Sequence, residues 1–104
     1  MEYHKAIRDK IPEIILKEGN TCKVKTLTDS EFLKKIEKKL FEEIKEYQQN
    51  KSVEELADIV EVVYTIVKLR GVTKKEFEKI RIKKINERGS FKKNLFLISS
   101  SGNH

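Results

Sequence analysis

The sequence predicts an all-α fold, an antiparallel helical bundle with a short N-terminal helix, on three observations. Three S/T-x-x-E signatures, Thr28 with Glu31, Ser52 with Glu55 and Thr73 with Glu76, each match a capping box in which side chains satisfy the first orphan amides of a helix. Behind the first two, apolar residues recur at spacings of three and four, the helical period. Gly71 and Gly89 stand where the third and fourth helices should stop.

Taken in order, Lys10-Ile11-Pro12 fits a helix start, because proline is tolerated in a first turn, and Gly19 fits its end, which gives a short helix over residues 12–17. Residues 21–27 (TCKVKTL) alternate β-prone side chains and read as a short strand, with residues 95–98 (LFLI) as the available partner, so a minor two-stranded pairing of the chain ends is expected. The second helix carries Leu33, Ile36, Leu40, Ile44 and Tyr47 as its core stripe; the third carries Leu56, Ile59, Val60, Val63 and Val67. Phe77, Ile80, Lys84 and Ile85 form a mixed apolar and basic face on the fourth.

Residues 1–98 are expected to form a single helical domain and residues 99–104 a frayed tail, since 104 residues are too few for two self-sufficient cores. No apolar run approaches the roughly 20 residues of a membrane helix, and the opening MEYHKAIRDK lacks the apolar stretch of a secretory signal, so a cytoplasmic address with no membrane partner is expected. A lone cysteine, Cys22, excludes an intrachain disulfide framework and a Cys-rich zinc site, and His4 and His104 are too few for a zincin pattern. Cys22, His4, Tyr47, Tyr64 and Phe91 are best read as packing or surface residues.

The net charge of +6 is concentrated. Residues 79–93 hold seven basic side chains against the single acid Glu87, so this window alone matches the surplus of the whole chain. Such a stretch suits a solvated helix face, a nucleotide phosphate or a nucleic-acid backbone. A basic helical nucleic-acid-binding module is therefore an alternative function, but tryptophan, an aromatic stacking pattern and DNA-reading motifs are all missing.

The informative stretch is acidic. Glu43 and Glu46 stand at i and i+3 on the second helix, as do Glu55 and Asp58 on the third, so each pair projects from one side, at the margin of its helix's core stripe and in the same rotational sense. The short connection at residues 50–52 favours an antiparallel hairpin, in which same-sense margins meet. Four carboxylates brought to one edge repel unless protons or cations intervene, and oxygen-only ligands suit a hard divalent ion, Mg²⁺ or Mn²⁺, better than zinc or copper. Against this, Glu55 is also the third residue of a capping box, and acids are favoured in first turns. The two matched pairs together favour a metal site.

Glu42-Glu43-x-x-Glu46 followed by Glu55-x-x-Asp58 resembles the EExxE…ExxD signature of the MazG-like all-α nucleoside triphosphate pyrophosphohydrolases, relatives of dimeric dUTPases and phosphoribosyl-ATP pyrophosphatase. Residues 5–15 (KAIRDKIPEII) resemble the opening of a small MazG-like subgroup, and residues 84–91 (KINERGSF) are similar to the K-x-x-x-R segment that follows the acidic helices. The resemblance implies Mg²⁺ held by Glu43, Glu46, Glu55 and Asp58, phosphates held by Lys84 and Arg88, and Arg8, Asp9 and Lys10 in the nucleotide pocket. Asp9 reads equally as a cap of the short helix and Lys10 as solvated. The implied reaction cleaves a nucleoside triphosphate between its α- and β-phosphates, giving a monophosphate and pyrophosphate, with Glu43 or Glu46 positioning or deprotonating the water. The wide apolar surface of the third helix, which includes Val62, Ile66 and Leu69, and the resemblance both imply a homo-oligomer, dimer or tetramer.

Overall fold

The computed structural model describes residues 3–103; Met1, Glu2 and His104, the last residue of the expected frayed tail, lie outside the described residues. The protein is all-α, with α1 (Ile11–Lys17), α2 (Asp29–Asn50), α3 (Val53–Leu69) and α4 (Lys74–Arg88) in chain order. It divides into two compact units, Met1–Lys74 and Lys75–His104.

In the first unit, α1 starts one residue earlier than expected, with Pro12 in its first turn. Its N-cap is Lys10, which makes no side-chain capping bond, so Asp9 does not cap it. The 22 residues of α2 begin at a complete capping box: the Glu31 N–H donates to the Thr28 hydroxyl at 3.2 Å, and the Thr28 N–H donates back to the Glu31 carboxylate at 3.1 Å. Lys51, in the left-handed region at φ 55°, reverses the chain, and Ser52 caps α3. A two-residue connection between helices that pack on each other makes α2 and α3 an antiparallel hairpin. α3 ends in a Schellman turn, where the Gly71 N–H reaches the Lys68 carbonyl and the Val72 N–H the Val67 carbonyl; Gly71 sits at φ +82°, where a Cβ would be strained.

The core lies between α2, α3 and the segment that precedes α1. Ala6, Ile36 and Val62 are its buried members, with Phe32, Leu33, Leu40, Ile66 and Leu69 packed around them. The expected stripe of α3 holds in part: Ile59, Val63 and Val67 are half-buried, but Leu56 and Val60 are 41% and 47% exposed, and the contact with the core runs through the buried Val62 and the partly buried Ile66 and Leu69. Ile44 of α2 is likewise 38% exposed.

The expected strand pairing is absent: no strand is present among the described residues. Of residues 21–27 only Leu27 is even half-buried, and Leu95, Phe96, Leu97 and Ile98 are exposed. An isolated two-stranded ribbon is marginal in water without an apolar face to cover, and neither segment is packed on one.

In the second unit, α4 runs to Gly89, whose N–H bonds the Ile85 carbonyl at 2.7 Å. Its charges are partly paired along the helix, with Arg81 gripping Glu78 through two nitrogens and Lys83 3.9 Å from Glu87. Every residue of the basic window 79–93 is exposed, and residues 89–103 form no helix or strand.

Candidate metal centre

Helical geometry explains how the acids come together. At 100° per residue, Glu43 lies about 20° from the buried Ile36 on the surface of α2, and Glu55 and Asp58 lie about 20° and 40° from the buried Val62 on α3. The acids therefore continue the core lines of the two helices and do not stand at their margins. Glu46 turns about 80° from the Ile36 line by the same count, and it is exposed.

The antiparallel hairpin then brings Glu43, Glu55 and Asp58 together, with one carboxylate oxygen from each lying within 4.8 Å of the others. Glu46, expected as a fourth ligand, is not part of this set. Glu43 is only 7% exposed. Its Oε1 lies 3.6 Å from Lys39 Nζ, one turn earlier on α2, while its Oε2 is buried with no hydrogen-bond partner. Glu55 Oε1 accepts from Asn50 Nδ2 at 3.3 Å, and its Oε2 is also buried and unpartnered. Asp58 Oδ1 accepts a 2.6 Å bond from Arg8 Nη2, which links the N-terminal segment to α3 across 50 residues.

The competing role of Glu55 is not taken up. The Ser52 hydroxyl accepts from the Glu54 N–H at 3.1 Å, and the second capping box does not close through Glu55. Ser52 satisfies the Glu54 N–H without the Glu55 side chain, whose carboxylate lies with those of Glu43 and Asp58.

Arg8, Asp9 and Lys10 line one cleft of about 860 Å³ together with Lys39, Glu43 and Asp58, so the structure joins the N-terminal basic segment to the acids. Lys84 and Arg88 stand exposed on α4 in the second unit. Two participants were missed from sequence, Lys39 and Asn50. The signal for Lys39 was its i, i+4 spacing to Glu43. For Asn50 it was a polar helix end next to an acid-rich first turn.

Buried carboxylate oxygens without partners are costly, and three acids within 4.8 Å add mutual repulsion. Both costs are relieved by a cation that accepts several oxygen ligands. The donor set fits a hard divalent ion that takes carboxylates and keeps room for water or phosphate oxygens. No helix among the described residues is long and apolar enough to cross a membrane. Comparison with models of protein families, with curated proteins and with solved structures returned no match.

Proposed function

We propose that the protein is a Mg²⁺-dependent nucleoside triphosphate pyrophosphohydrolase of the MazG-like kind, with Mn²⁺ as a workable substitute. The observation that carries the reading is the nearly buried Glu43, one of whose oxygens is unpartnered, brought within 4.8 Å of carboxylate oxygens of Glu55 and Asp58 across the α2–α3 hairpin. Glu43, Glu55 and Asp58 would hold the metal, which supplies charge neutralisation for the triphosphate and its pyrophosphate leaving group.

The chain's own groups account for the rest. Arg8 and Lys10 bring cationic side chains to the cleft wall beside the acids, and Lys84 and Arg88 are proposed as further phosphate-binding groups. Glu43 or Glu46 is the proposed group that positions the water and accepts its proton; Glu46 stands exposed and outside the three-acid set. The water oxygen bonds to a phosphorus of the α–β anhydride, the bridging P–O bond breaks, and pyrophosphate leaves with that oxygen or receives the hydroxyl, according to which phosphorus is attacked. The products are a nucleoside monophosphate and pyrophosphate.

A homo-oligomer belongs to the same proposal. On α3, Val53 is 79% exposed, and Leu56 and Val60 share its side of the helix, an apolar line suited to a second copy.

The test is a panel of nucleoside triphosphates with Mg²⁺, resolving pyrophosphate from orthophosphate, for the wild type, Glu43→Gln and Asp58→Asn. Metal-dependent pyrophosphate release that both substitutions abolish is the expected result. If no triphosphate is cleaved, or both variants retain full activity, the reading fails; salt-dependent nucleic-acid binding through residues 79–93 is then the reading to pursue.

A further inference from the structure

Three carboxylates meet at the centre, and two cations already attend them. Arg8 Nη2 bonds Asp58 Oδ1 at 2.6 Å, and Lys39 Nζ lies 3.6 Å from Glu43 Oε1. The two pairs are unlike in setting. The Lys39 side chain is 17% exposed and emerges from α2 one turn before its partner, whereas Arg8 is 54% exposed and lies on the non-helical segment before α1. Both line the same cleft as Glu43 and Asp58.

These positions set up a competition. A divalent cation that draws Asp58 and Glu43 into its shell takes the same carboxylates that Arg8 and Lys39 now balance. With the two side chains alone, the trio keeps one uncompensated negative charge; with a divalent cation added, the group carries excess positive charge and the guanidinium and ammonium have lost their partners. A polyphosphate is the anion this arrangement then favours, because Arg presents two parallel donors to phosphate oxygens and Lys a point charge.

We propose that Arg8 and Lys39 are exchangeable counter-ions: they balance Asp58 and Glu43 until a divalent cation displaces them, and then they bind the phosphates of the incoming substrate. Binding is therefore ordered, cation before polyphosphate. The proposal rests on the trio holding a divalent cation, and it assigns Lys39 a part in the same site.

The experiment titrates the full-length protein with Mn²⁺ by electron paramagnetic resonance, without any anion, and then titrates the Mn²⁺-saturated protein with inorganic triphosphate by calorimetry. Arg8→Gln, at an exposed position, is expected to bind Mn²⁺ about two- to five-fold more tightly than the wild type, the range of an exposed ion pair. It should bind triphosphate at least about ten-fold more weakly, as expected for a lost charged hydrogen bond. Arg8→Lys should fall between them on both readings. Lys39→Met, with its fold checked by circular dichroism, should shift in the same two directions. Unchanged or weaker Mn²⁺ binding by Arg8→Gln, or unaltered triphosphate binding, overturns the exchange while leaving the metal centre standing. No Mn²⁺ binding by the wild type overturns both.

Discussion

A carboxylate as enclosed as Glu43 keeps its place only if something compensates the lost hydration, and in this chain one of its two oxygens has no such compensation. Lys39 answers the other oxygen, Asn50 answers one oxygen of Glu55 and leaves its second buried and unpartnered, and Arg8 answers Asp58. Half-satisfied acids pointing at one another are the arrangement that gains most from a divalent ion. The expected consequence is thermal: Mn²⁺ at about 100 times its dissociation constant should raise the melting temperature by roughly 10 °C or more, from the linkage of binding to folding. Chelation should reverse the shift, and both Glu43→Gln and Asp58→Asn should largely remove it. Glu46→Gln should keep it, because that residue turns off the line that carries Glu43. Differential scanning fluorimetry across the four proteins distinguishes a three-acid centre from the four-acid one that spacing suggests.

At the scale of elements, the two N-termini of the hairpin show one motif used in two ways. In α2 the capping box closes, and the Thr28 backbone N–H, followed by its hydroxyl, holds the Glu31 carboxyl below its ordinary value near 4.5. A carboxyl lowered in the folded state stays ionised while its unfolded counterpart takes up a proton. Its contribution is therefore present above the unfolded value and lost as pH falls through the lowered folded one. Wild type and Glu31→Gln should accordingly differ in melting temperature at neutral pH, with the wild type higher, and converge in acid; a difference that persists unchanged below pH 4 would exclude the box as its source. In α3 the same four-residue signature leaves its glutamate to the acid centre, the Ser52 hydroxyl accepting from the Glu54 N–H instead. The S/T-x-x-E pattern is shared, but the residues between differ, TDSE against SVEE, and so does the facing helix.

At the scale of the molecule, the hairpin buries few residues. Ile36 and Val62 are enclosed with Ala6, while Phe41, Val53, Leu56 and Val60 remain on the surface. An apolar surface on a hairpin this slender is covered at low cost by a second copy that presents the same surface. Light scattering should therefore return at least twice the mass of the chain, and the melting temperature should rise with protein concentration. Leu56→Lys, at a position 41% exposed, should give a folded monomer whose melting temperature no longer depends on concentration. A wild type that stays monomeric at high concentration would remove the oligomer from the proposed function.

Sequence by itself determined the four helices and most of their ends, because proline, glycine and Thr28 act through local backbone chemistry that needs no distant partner. It also marked the acids, since i, i+3 spacing is a property of one helix. The buried face of α3 was legible only in part. Ile59, Val63 and Val67 of the expected stripe are half-buried, but Leu56 and Val60 continue it equally well and stay exposed, and only contact with the rest of the core selects Val62, Ile66 and Leu69. The expected strands failed for the related reason that alternation needs a surface to pack on. The contact of Arg8 with Asp58 and the separation of Glu46 from the other acids were decided by tertiary structure alone: the first joins residues 50 positions apart, and the second depends on which way the hairpin turns its faces, since helical period sets the angles within a helix and packing sets where zero lies.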